Sequence, residues 1–117
     1  AALLANPYDA GTRANLGRLL ASDGDWKQAA FHLEKAVQLD PAEPNAHADY
    51  AVALMQLHHL PEAEREVEAS VKADPKSPRR HDLLGQILVQ RGQMAGARAE
   101  FESALQLSPD YGPAQLD

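Results

Sequence analysis

Cysteine is absent from this 117-residue chain. That excludes disulfides, a cysteine zinc site and a thiol nucleophile, and it leaves the cellular compartment open. Aromatic residues make up only 5%, and alanine carries much of the apolar content. That composition suits closely packed helices better than a β-sandwich. No apolar run approaches the roughly 18 residues that a membrane span requires, so no membrane partner is expected. The opening stretch AALLANPYD lacks both a basic start and a long apolar core, so it does not read as a secretion signal. Basic residues are outnumbered, 11 Lys and Arg against 17 Asp and Glu, for a net charge of −6. A nucleic-acid partner, whose phosphates call for a basic face, is therefore not expected. No strained Gly-x-Ser-x-Gly elbow, phosphate loop or His-Glu-x-x-His pair occurs, so the chain reads as non-catalytic, with no cofactor and no metal. Glu34, Glu62, Glu64, Glu66 and Glu68 are spaced as solvated helix faces.

What is present is organised around residues 15–41, NLGRLLASDGDWKQAAFHLEKAVQLDP. Leu16, Gly17 and Leu20 share one helix face. A glycine inside a helix costs roughly 1 kcal/mol relative to alanine, so Gly17 marks a place where another chain segment comes close. Ala29, Leu33 and Ala36 form the stripe of a second helix. Between the two, Gly24 can end the first helix in the left-handed conformation, and Asp25 can cap the second. Asp40-Pro41 stops it.

The unit recurs. Pro7, Pro41, Pro75 and Pro109 are each 34 residues apart. On that period Gly17, Ala51 and Gly85 align, as do Leu20, Leu54 and Leu88; Ala29, Ala63 and Ala97; Leu33, Val67 and Phe101; and Ala36, Ser70 and Ala104. Large positions stay large and small ones stay small. This pattern resembles the tetratricopeptide repeat (TPR), a 34-residue helix–turn–helix unit. Two departures stand out. Arg13, His47 and His81 occupy a position that is usually bulky and apolar. The turn glycine found at Gly24 and Gly92 is His58 in the middle unit, with Pro61 suited to the first turn of the following helix.

The resemblance implies an all-α fold, an α-solenoid of three antiparallel helix pairs wound into a right-handed superhelix. Helices are expected near 10–22, 26–39, 44–57, 61–73, 78–91 and 95–107. The whole chain, 1–117, reads as one domain: residues 1–9 end a preceding repeat, 10–43, 44–77 and 78–111 are repeats 1 to 3, and 112–117 start a following helix. Phe101, Ala104 and Leu105 have little chain left to cover them. The chain is therefore expected either to be part of a longer array or to pair through an end with another molecule.

In this family the first helix of each pair lines a concave groove that holds partner peptides. Carried across by position, the groove comprises Asn15 and Arg18 in the first unit, with Gly11, Ala14, Ala21 and Ser22 beside them. The second unit supplies Asn45, Asp49, Val52, Met55 and Gln56, with Ala48. The third supplies Arg79, Asp82, Leu83, Gln86 and Gln90, with Val89. Amide side chains there can bond a peptide backbone, the arginines can pair with carboxylates, and Val52, Met55, Leu83 and Val89 offer an apolar floor. The clamp by which some family members grip the acidic tail of heat-shock chaperones is not matched. Its positions hold Ala14, Arg18, Asp49, Arg79 and Leu83, and Asp49 would repel such a tail. Among the histidines, His58 and His59 are adjacent on a turn and point to no metal. His47 and His81 are expected to pack half-buried at equivalent positions, and His32 to be exposed. Trp26 is expected to pack over its turn. Two functions follow: a module that binds a protein or peptide partner in its groove, or an assembly segment that self-associates through its terminal helices.

Overall fold

The computed structural model describes residues 9–42 and 45–108, and among these there are six helices and no strand. In chain order they are α1 (Ala10–Ser22), α2 (Trp26–Leu39), α3 (Ala46–Gln56), α4 (Leu60–Ala73), α5 (Pro78–Gln90) and α6 (Met94–Leu107). The boundaries agree with the periodicity to within two residues. The helical ends expected in 1–8 and 112–117 lie outside the described residues. Asp9 starts α1, its carboxylate accepting from the amides of Gly11 and Thr12 at 3.2 and 3.3 Å. Asp25 starts α2 by accepting from Gln28, and Ser77 starts α5 by accepting from Arg80. Asn45 precedes α3 without capping it. Its amide oxygen instead accepts from Arg80 Nη2 at 3.4 Å, tying α3 to α5.

Consecutive helices pack as antiparallel hairpins, and the hairpins stack. The stack is asymmetric. Helix α1 touches α3 and α3 touches α5, whereas α2 does not touch α4, nor α4 touch α6. Close odd-numbered helices and splayed even-numbered ones curve the assembly, and α1, α3 and α5 form its inner side. The molecule is elongated, 51 × 26 × 22 Å, as expected when each unit contacts only its neighbours.

The glycine positions explain how tightly each hairpin closes. A Cβ added at Gly17 would lie 2.6 Å from Leu33 Cγ, and one at Gly85 would lie 2.6 Å from the Phe101 ring. Where the aligned residue is Ala51, its large counterpart is the smaller Val67, and both are fully buried. Ala29, Ala36, Ala63, Ser70 and Ala104 are also fully buried. Ala104 therefore does not belong to the uncovered end where the sequence placed it. Leu16 departs in the other direction. It is 41% exposed, whereas its counterparts Tyr50 and Leu84 are buried. Tyr50 packs against a preceding hairpin and donates to Glu34 on α2; no described helix precedes α1.

The middle turn keeps the shape of the other two. Gly24, His58 and Gly92 have φ of 79°, 65° and 78°. Each turn closes with the same pair of backbone bonds, such as His58 N–H to Met55 O at 3.0 Å and His59 N–H to Leu54 O at 2.8 Å. His58 thus occupies a left-handed conformation that glycine adopts without steric cost.

Candidate functional site

The inner side carries two adjoining hollows. One, of about 270 Å³, is lined by Arg18, Ala21, Ser22, Trp26, Asp49, Val52 and Arg79. The other, of about 340 Å³, is lined by Val52, Met55, Gln56, Arg79, Asp82, Leu83 and Gln86. Val52 and Arg79 belong to both, so the two form one trough running across α1, α3 and α5. Nine of the twelve residues expected in the groove border it. Asn15 does not; it accepts from Arg18 Nη1 at 2.9 Å. Asn45 is engaged with Arg80, and Gln90 is exposed near the end of α5 and borders neither of these two hollows. Val89, expected on the apolar floor, instead borders a third hollow on the last hairpin with Met94, Phe101 and Leu105. Ala14 on α1 and Ala48 on α3 are buried in the core. Trp26, expected to pack over its turn, packs against the core and also walls the trough. No periodicity signals that second role, because Trp26 is the first residue of an even-numbered helix.

The polar side chains in the trough differ in how far they are already satisfied. Arg18 Nε lies 2.9 Å from Asp49 Oδ2, an ion pair between α1 and α3 with its carboxylate largely covered. Arg79 is exposed at the seam of the two hollows and makes no hydrogen bond or ion pair with the described residues. Asp82 is buried. Gln86 Nε2 donates to its Oδ2 at 2.7 Å, and none of the described residues donates to its Oδ1. Burial lifts the Asp82 pKa above the ordinary aspartate value, with the Gln86 bond opposing it. Met55 and Leu83 are mostly covered and form the floor, with Val52 half-buried between the two hollows.

Away from the trough, Glu64 and Glu66, read as solvated, prove to be bonded, as does Glu100. Glu66 accepts from His47 and Glu100 from His81, each at 2.8 Å, while the other ring nitrogens lie 2.7 Å from the carbonyls of Pro41 and Pro75. Glu64 accepts from Arg91 at 2.6 Å. His32 is half-buried rather than exposed, with Nδ1 3.2 Å from Arg13 Nη1. The separation is 19 residues in all three units (13 to 32, 47 to 66, 81 to 100), so the recurrence was available in the sequence as a periodic polar pair. His59 and Glu62 are exposed and 3.9 Å apart. Among the described residues, no three His, Asp or Glu side chains gather as a metal site, and no helix is long and apolar enough to cross a membrane.

A tetratricopeptide repeat profile matches residues 20–87, and a second tetratricopeptide repeat profile matches residues 79–111. The chain belongs to the tetratricopeptide repeat family. No curated relative matches it by sequence. Among solved structures, it is similar to the first TPR of Spaghetti (RPAP3) bound to the HSP90 peptide SRMEEVD, with 19% identity, a TM-score of 0.87, and coverage of 96% of this chain and 89% of that one. It is similar to MamA, with 20% identity, a TM-score of 0.90, and coverage of 97% and 66%. It is also similar to YrrB, described as a TPR protein with an unusual peptide-binding site, with 22% identity, a TM-score of 0.87, and coverage of 91% and 55%. At these identities the likeness is one of fold. The TPR α-solenoid is a protein-interaction fold, and that is the class to which this chain is assigned.

Proposed function

We propose that this TPR domain is a non-catalytic module that holds an extended segment of a partner protein in the trough of α1, α3 and α5. The observation that carries this reading is the continuity of the two hollows through Val52 and Arg79. A continuous channel with an apolar floor, amide side chains and one unengaged cation suits an extended chain, which presents alternating side chains and unpaired backbone groups. One fold relative bound to a peptide and another described by its peptide-binding site add to this reading. An acidic chaperone tail is a poor occupant, because Asp49 sits in the trough and Arg18 is committed to it.

Peptides selected on the wild-type chain from a displayed random library provide the test. Arg79→Glu disturbs no existing bond and Val52→Glu places a charge on the shared wall. Each is expected to weaken the selected peptides by at least about tenfold, near 1.4 kcal/mol. Met94→Glu, on the last hairpin, is expected to leave them unchanged. Selected peptides that bind both trough variants as tightly as wild type would overturn the reading.

A second reading, self-association through an end face, is favoured by the third hollow. It measures about 430 Å³ and is lined largely by Val89, Met94, Phe101 and Leu105, and Met94 is 60% exposed. Under this reading sedimentation velocity would reveal a concentration-dependent dimer that Met94→Glu abolishes.

A further inference from the structure

Helices α1 and α6 each leave uncovered the residues that the other hairpins use to join one another. Tyr50 and Ala53 on α3 are buried, as are Leu84 and Ile87 on α5. Their counterparts on α1, Leu16 and Leu19, are 41% and 61% exposed. On α6, Phe101 and Leu105 border the hollow of about 430 Å³. Their counterparts Leu33 with Val37, and Val67 with Val71, belong to the core or pack against it. Helix α1 thus offers the apolar ridge that a following hairpin presents, and α6 the apolar seat that a preceding hairpin provides.

The side-chain pairs that cross the inner junctions say what fits between them. Arg91, just after α5, reaches back 27 residues to Glu64 on α4 at 2.6 Å. One junction earlier the same two positions hold Leu57 and Ala30, both half-buried and uncharged. Arg18 on α1 meets Asp49 on α3, 31 residues later. At the next junction those positions hold Val52 and Leu83, which border one hollow. Each junction therefore matches charge with opposite charge, or apolar with apolar. Carried one stride further, onto a second copy whose α1 follows α6, both pairs match again. The first becomes Arg98 with the second copy's Asp23, the pair of Glu64 and Arg91 with its signs exchanged. Both side chains are exposed, and neither makes a hydrogen bond or ion pair with the described residues. The second becomes Gln86 with the second copy's Asn15. Asn15 Oδ1 already accepts from Arg18 and Gln86 Nε2 already donates to Asp82. That leaves a donor on Asn15 and an acceptor on Gln86.

We propose that the chain associates with itself head to tail, the α1 face of one copy seated in the α6 hollow of the next, in the register that continues the 34-residue stride. This rests on the second reading above, self-association through an end face, and names the surface that fills that hollow. The interface joins two different faces, so each added copy leaves one of each free and the assembly grows past a dimer. A dimer of α6 on α6 would leave Leu16 and Leu19 exposed and Asp23 without a partner.

Sedimentation velocity on the full chain provides the test. The mass of the wild type is expected to rise beyond a dimer towards millimolar concentration. Leu19→Glu and Met94→Glu each place a charge on one face at an exposed position, so both should fold, and each alone is expected to stay monomeric. Mixed, they are expected to form a one-to-one complex and nothing larger, because each keeps the face that the other has lost. Asp23→Lys and Arg98→Glu are each expected to weaken the association about fivefold, and together in one chain to restore it. A monomeric wild type at millimolar concentration, or an association that neither Leu19→Glu nor Met94→Glu alters, would overturn both the inference and the second reading. An association lost in Met94→Glu but kept in Leu19→Glu would leave that reading standing and overturn the head-to-tail arrangement. A mixture that stays monomeric, or a double charge change as weak as the single ones, would overturn the arrangement as well.

Discussion

At the scale of single residues, the constraint is steric. Gly85 lets the Phe101 ring lie where a Cβ would be, so Gly85→Leu forces the hairpin of α5 and α6 apart. A loss of about 3 kcal/mol is expected from overpacking, measured as a lower urea midpoint. Gly96 lies in the first turn of α6, and a Cβ there would meet Leu88 at an ordinary 3.4 Å. Gly96→Ala should therefore stabilise by roughly 0.5 kcal/mol through helix propensity alone. His58 holds φ at 65° in a turn that the other two units build on glycine. His58→Gly removes that strain and is expected to raise stability by up to about 1 kcal/mol, less the added freedom of glycine in the unfolded chain. A lower melting temperature for this variant would show that the imidazole contributes something the backbone geometry does not reveal.

At the scale of helices, the recurring polar pair joins the second and third hairpins to the turn before each. In the last two units a histidine ring sits between a glutamate of the same hairpin and the carbonyl of the proline that ends the preceding one. A ring between two acceptors donates at both nitrogens only when doubly protonated. For His81, burial lowers the pKa, but the Glu100 hydrogen bond, the Pro75 carbonyl and the Glu100 charge outweigh it and raise the net value above 6.5. Glu68 and Lys72 of α4 share the same surface hollow with His81 and Glu100. Because the folded pKa exceeds the unfolded one, the stabilisation is complete below the unfolded pKa. It is lost as pH rises through the folded value. The melting temperature of the wild type should therefore fall relative to His81→Gln as pH is raised from about 6 to about 8, across the ordinary histidine range. A constant difference over that range would refute the linkage.

At the scale of the whole molecule, stability is expected to follow position in the stack. The middle hairpin has another on either side, and Ala51, Ala53 and Val67 are fully buried there. By contrast Leu16, Leu19, Met94 and Leu107 are exposed at the two ends. Where each unit contacts only its neighbours, local opening begins at the ends. Amide exchange should therefore be slowest in α3, α4 and the start of α5, and fastest in α1 and α6. Uniform protection along the chain would instead mean that the stack unfolds as a single block, with its end faces covered.

The 34-residue stride, the small-and-large alternation at Gly17 with Leu33 and Gly85 with Phe101, and the cap at Asp25 were all readable from residue order. The alternation depends on which face of a helix a residue occupies, which helical periodicity supplies directly, and a cap depends only on its own side chain and the amides two or three residues on. The groove positions came instead from the family resemblance, and nine of the twelve residues it implied border one trough. Neither the periodicity nor the resemblance identified the polar pairs: Arg18 with Asp49, Asn45 with Arg80, His47 with Glu66. Nor did they reveal that Asp82 is buried and Arg79 left unengaged. Burial tolerates small shifts of one helix against another, so a periodic pattern is enough to specify it. A hydrogen bond does not tolerate them, because it is lost within a few tenths of an ångström and a modest rotation. The allocation of charge in the trough was therefore decided only when the hairpins had stacked.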